Sequence, residues 1–256
     1  MNVARRKKRT AKVGVFGVGF HKYWSQFDGL LDEMRRKLDL FVGKVRAHEV
    51  DVTDFGIVDD APSAYALVPR LKAADLDLVF CDMLTYATSA SFAAIVRGSD
   101  VPLVLVALQP LKALDYSQAS TYMQLCNDDF CAVPEFTGVA IRMGKKAPPV
   151  ILGALDDDPV ADREIARWCN VAMALHDLRR ARIGHFGHPI EHMLDMQTDQ
   201  TALTAAFGCH IVQTEADELL RLEGTVTDEE AEAKKTQILE LFDTPDPKSD
   251  PITEKL

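Results

Sequence analysis

Short apolar runs alternate along the first two thirds of the chain with stretches whose apolar residues recur every three or four positions. Lys12 to Gly19 (KVGVFGVG), His48 to Phe55, Leu76 to Cys81 (LDLVFC), Val101 to Leu108 (VPLVLVAL) and Val150 to Leu155 read as strands. VPLVLVAL carries no polar residue, as expected of a strand covered on both faces. Between these runs, Trp24 to Val45 brings Phe27, Leu30, Leu31, Met34, Leu38 and Phe41 to one side of a helix. Ala61 to Ala74, Ala87 to Arg97 and Asp162 to Arg180 read as further helices. Strand and helix alternating at this spacing predict an α/β fold, a doubly wound parallel sheet. Its strand ends would deliver His21, Asp54, Asp82 and Gln109 to one edge, where open α/β sheets place their ligands.

The pattern loosens from Gln109 to Met143. Tyr116 to Leu125 has helical spacing, and CNDDFCAVPEFTG follows as a polar, Pro-containing break. Asn127, Asp128, Asp129 and Glu135 could ligate a metal there, but such a cluster more often caps a turn before a helix. Beyond Arg180 the alternation resumes. Arg182 to Asp199 (RIGHFGHPIEHMLDMQTD) starts as an apolar run and breaks at Gly187 and Pro189, the form of a buried parallel strand delivering a loop. A helix from Thr201 to Phe207 stopped by Gly208, a strand from Cys209 to Gln213 and a helix from Ala216 to Leu222 come next. Thr227 and Glu230 then form a capping box that launches a charged helix to Phe242. The expected organisation is a basic disordered start (1–11), an N-terminal α/β domain (12–180), a partial second α/β domain (181–243) and a Pro-rich linker (244–256).

Charge and composition narrow the chemistry. The chain has 256 residues, 47% of them apolar and 27% charged, with a net charge of −10. Six basic residues lie within the first twelve, leaving 23 basic against 39 acidic in the remainder. An acidic body argues against nucleic acid as a partner. No apolar run approaches the roughly 20 residues that cross a membrane, and none behind the basic start would serve as a signal peptide. Five dispersed cysteines without a CxxC argue against a disulfide framework and for a reducing, cytoplasmic setting. Gly14, Gly17 and Gly19 miss the GxGxxG spacing of a dinucleotide site, so their expected role is close packing of strand and helix. No GxSxG, Walker-type loop or HExxH occurs.

The histidines of Arg182 to Asp199 have the spacing HxxHxxxH. On one helix His188 and His192 could share a zinc ion with Glu191 nearby, but Gly187 and Pro189 argue against a continuous helix. His188, just past the strand end, is the residue placed to donate to a hydroxyl or carboxylate of a small polar ligand. His185 reads as a hydrogen-bonded core histidine and His192 as exposed. Asp195 and Asp199 are further ligand contacts on this reading, with Asp199 equally suited to a helix N-terminus.

Several segments, in this order, resemble the L-arabinose/L-fucose isomerase family: VGVFGVGFHKYWSQFDGLLDEM, DFGIVDDAPSA, LDLVFCDMLTYATSA, VPLVLVALQP and GHFGHPIEHMLDMQTDQTALTAAFG. The likeness runs from about Lys12 to Ile252 and is to the divergent, sugar-isomerase-like branch. It implies an N-terminal α/β domain, a central α/β domain and a C-terminal β-rich domain. It also implies a homo-oligomer in which one subunit's N-terminal domain closes over a neighbour's active site. The family's divalent metal, usually manganese, is held by Glu and His, and two glutamates move the proton between C1 and C2 through an ene-diol. Those residues belong to the late central and C-terminal domains, beyond this chain's last residue. The resemblance therefore implies a sugar partner (a pentose, hexose or polyol) contacted by His21, Gln109, Asn127, His188, Met193 and Asp195. It implies no catalytic residue here and no metal bound by this chain alone, with a partner polypeptide supplying the C-terminal half. A non-catalytic sugar-binding or regulatory module using the same sheet edge is the alternative.

Overall fold

The computed structural model describes residues 10–242. The basic start lies outside these residues except for Thr10 and Ala11, and Ala11 already belongs to a strand; the Pro-rich linker lies wholly outside them. The chain divides into two compact units, the first reaching Asp177 and the second beginning at Leu178.

The first unit is built on five parallel strands: β1 (Ala11–Val18), β2 (Val50–Val58), β3 (Leu78–Met83), β4 (Leu103–Gln109) and β5 (Val150–Ala154). Their order is β2-β1-β3-β4-β5, so the chain winds outward in both directions from β1. The helices between them are α1 (Leu30–Arg46), α2 (Ala61–Ala73), α3 (Ala90–Gly98), α4 (Thr121–Cys126), α5 (Val133–Arg142) and α6 (Pro159–Arg179). Alternate side chains along each strand enter opposite layers. Val13, Val15, Phe80 and Val106 join Met34, Leu38 and Phe41 of α1 and Ile165 and Ala172 of α6. Phe16, Val79, Cys81 and Leu105 join Leu67, Leu71, Phe92, Ile95 and Phe136 of α2, α3 and α5. Phe41 meets Phe80 edge-on at 5.6 Å, and Phe92 stacks on Phe136 at 4.5 Å. Each such ring, fully buried, contributes roughly 1.5–3 kcal/mol.

The alternation predicts every one of these strands within a few residues, but two expectations need correction. Asp54 is not at a strand end: β2 runs on to Val58 through an irregularity opposite Val15–Gly17, and the Asp54 carboxylate accepts from the Gly56 amide. Asp82 is not in an edge loop either; it lies inside β3, 4% exposed. The capped turn expected after Leu125 does lead into a helix, α5, which begins inside the Pro-containing stretch because Pro134 sits in its first turn, where no amide hydrogen is missed. The glycines of β1 do serve packing. A Cβ at Gly17 would collide with Leu84, and one at Gly14 would lie 2.7 Å from Leu76.

The second unit pairs β6 (Arg182–Phe186) with β7 (His210–Thr214) in parallel, joined through a 3-10 turn (Leu194–Met196) and α7 (Gln200–Phe207). Helices α8 (Ala216–Glu223) and α9 (Asp228–Leu241) follow, and the Thr227–Glu230 capping box is present. Gly208 ends α7 at φ 74°. The expectation of a buried β6 is overturned: Ile183 is 42% exposed and Phe186 57%. Four of the five residues of β6 are exposed and His185 is half-buried. From Leu178 to Phe242, Cys209 is the one buried residue.

Candidate functional site

At the carboxyl edge of the five-stranded sheet, the order reverses between β1 and β3, the point where such sheets leave a crevice. The chain leaves β1 through Gly19 and Phe20 into a 3-10 turn, His21–Tyr23. The His21 amide donates to the Asp59 carbonyl at 3.2 Å, and its ring Nδ1 lies 3.2 Å from the same oxygen. Trp24 Nε1 donates to Asp59 Oδ2 at 2.6 Å, so the loop after β1 is stapled to the end of β2. Tyr23, Tyr86, Asp128, Cys131 and Glu135 gather beside it and act on one another. Partial burial and then its acidic neighbours raise the pKa of Tyr23 and of Cys131. A thiol pushed upward carries less thiolate at neutral pH.

Beneath this surface lies a buried ion pair that the hydrophobic pattern conceals. Lys37 occupies the apolar face of α1 between Met34 and Phe41 and is 2% exposed. Its ammonium donates to Asp129 Oδ1 at 2.7 Å, to the Leu84 carbonyl at 2.5 Å and to the Cys126 carbonyl at 3.0 Å. All three N–H bonds are thereby used. Burial pushes the Asp129 carboxyl up to about 7 despite Lys37. Burial also raises the Asp82 carboxyl well above its ordinary value, with Lys37 opposing and Asp129 adding to the rise. Asp129 Oδ2 and Thr85 Oγ1 are buried with no hydrogen-bond partner. The cluster ties α1, β3 and the loop after α4 together.

Gln109 and Asn127, both expected to touch sugar, hold the chain itself. Gln109 Nε2 donates to the Asn127 carbonyl at 2.6 Å. The Asn127 side chain accepts from the Leu111 amide at 3.0 Å and donates to the Met123 carbonyl at 2.9 Å. Glu135 accepts from the Ser89 amide at 2.8 Å. The polar cluster after Leu125 is thus a capped, stapled loop.

The histidine-rich stretch of the second unit forms a cavity of about 320 Å³ between β6, β7 and α7. Gly187, at φ 71°, turns the chain out of β6. His185 Nδ1 lies 2.8 Å from Gln213 Oε1, which also accepts from Gln200 Nε2 at 3.3 Å. Gln213 Nε2 donates to the Gly187 carbonyl at 2.6 Å. His188 Nε2 donates to Glu215 Oε2 at 3.0 Å. His185 and His188 line the cavity together with Gln200, Gln213 and Thr198. Met193 and Asp195 are exposed on the turn beside it and are not among its lining residues. His192 is exposed. His185 is hydrogen-bonded as expected, but it is half-buried and not in a core. Asp199 caps α7, accepting from the Thr201 and Ala202 amides. Among the described residues no group of three His, Cys, Asp or Glu side chains could hold a metal ion. The three histidines therefore do not converge on zinc, and the residues present do not fit the family's manganese.

Sequence reasoning missed Lys37, Gln200 and Gln213. A lysine on the apolar face of α1 was the one available signal for the first. Gln200 and Gln213 enter the cavity only because β6 and β7 pair in parallel, in the register that sets His185 opposite Gln213.

No family model matches the chain, and no curated protein does. Among solved structures, a conserved domain protein from Vibrio cholerae is similar at 15% identity over 81% of this chain and 58% of its own, with a TM-score of 0.30. The ligand-free, open structure of a substrate binding protein with adhesive properties from Clostridium difficile is similar at 15% identity, covering 90% of this chain and 62% of its own, with a TM-score of 0.26. The chain thus spans about three fifths of each.

Proposed function

We propose that the chain is the sugar-contacting α/β part of a cytoplasmic aldose–ketose isomerase system of the L-arabinose/L-fucose type. On this reading another polypeptide supplies the Glu and His residues that hold manganese and move the proton. The observation that carries it is the cavity between β6, β7 and α7. Two imidazoles (His185, His188) and three carboxamides (Gln197, Gln200, Gln213) there offer donors and acceptors within one small volume. A neutral polyol needs that mixture, because each hydroxyl both gives and takes a hydrogen bond. His188 and Gln213 would bind the sugar hydroxyls, and Gln200 would orient Gln213. The five cysteines, all free, support a reducing compartment.

The same cavity also serves the second reading, a sugar-binding or regulatory module that acts without a catalytic partner. An isomerisation assay with pentoses and hexoses in added manganese tests the first reading. Robust turnover by the purified chain alone contradicts it. Turnover only on adding the missing half of such an isomerase supports it, whereas sugar binding with no turnover under any complementation supports the module.

A further inference from the structure

At the amino edge of the five-stranded sheet, away from the loops that follow the strands, a second cavity of about 380 Å³ opens between α3, α5 and the starts of β4 and β5. Ile95, Val96, Leu103 and Ala140 line it, and the half-buried indole of Trp168 forms one wall. Its volume falls in the range of about 300–1,000 Å³ typical of small-molecule sites, and its walls are apolar as such sites are. The charges stand at the mouth. Asp100 is paired with Lys145 at 2.7 Å, and Lys72 lies close enough to act on Asp100 as well. Lys146, exposed on the rim, has no acidic partner among the described residues. On a chain of net charge −10, one acid against three bases is a local reversal of sign.

We propose that this cavity binds a small amphipathic anion, an aryl or branched-chain carboxylate, with its apolar body against Trp168 and its carboxylate at Lys146. An apolar pocket with an unpaired cation at its lip discriminates by both properties. The body leaves water, and the carboxylate stays at the partly solvated rim beside a charge that needs no partner displaced. The site shares no residue with the sugar cavity, so either can fail alone.

The test titrates the full chain carrying Trp24→Phe, which leaves Trp168 as its single tryptophan, with 4-phenylbutyrate and with its neutral amide. We expect a saturable change in Trp168 emission, tighter for the carboxylate than for the amide. Lys146→Glu should weaken the carboxylate by about tenfold and leave the amide unchanged. Ala140→Met, which fills the floor, should weaken both. Should that variant not fold, Lys146→Glu, a surface change, still decides. Absence of saturable binding, or equal affinity for acid and amide, overturns the proposal. So does a carboxylate affinity indifferent to Lys146→Glu.

Discussion

Three segments of the first unit meet at the ammonium of Lys37. Replacing it with Met keeps the packing but strands Asp129 and two carbonyls in a dry site. The expected cost is about 3 kcal/mol, read as a lower urea midpoint. Removing both charges, as Lys37→Met with Asp129→Leu, should recover much of that loss. The same cluster makes stability depend on pH. Asp129 titrates at about 7 in the folded chain against an ordinary 3.8. Between those values the folded state holds a proton that the unfolded state has released, so stability falls as pH rises through the window. Asp82, raised by burial, acts in the same direction. The urea midpoint should therefore be higher at pH 5 than at pH 7.5, and Asp129→Asn should flatten the difference. A midpoint that rises over this interval contradicts the assignment.

Among the elements, the central strands of the first sheet were the easiest to read, because burial on both faces leaves few positions for polar residues. VPLVLVAL could be little else. The start of α5 was hidden because Pro134 reads as a breaker unless it is known to fall in a first turn, and the place of Asp82 because strand ends cannot be located from composition. β6 misled for the opposite reason. Its residues suit a buried parallel strand, yet β7 is its one neighbour. Two glycines carry conformational or steric demands that substitution will expose. Gly208→Ala forces a side chain into left-handed backbone at the end of α7, against Arg179, and should cost about 1 kcal/mol. Gly17→Ala drives a methyl into Leu84 and should cost about 1–3 kcal/mol, the usual penalty for overpacking. Thermal or urea unfolding of each variant measures both.

At the scale of the whole molecule, the two units differ in how much core they own. The first buries two layers of aromatic and aliphatic side chains on either face of its sheet, whereas two parallel strands with a single buried cysteine make a marginal unit. Amide exchange should reflect this, with β1, β3 and β4 protected to the level of global unfolding and β6 and β7 exchanging far faster. Equal protection would contradict the division. The imbalance bears on the proposed function, because the cavity lined by His185 and His188 lies in the unit with less core, where any ligand that binds the folded form would stabilise it by mass action. The cluster of histidines was legible from the sequence. The glutamines that complete it were not, since they are separate in sequence and meet only through the pairing of β6 with β7. The most direct test of this account is calorimetric titration of the purified chain with L-arabinose, L-fucose and ribitol, beside His188→Ala and Gln213→Ala. Saturable binding of at least one of them, weakened about tenfold or more by each substitution, is the predicted result. No binding to any of the three, or binding that both substitutions leave unchanged, would contradict it.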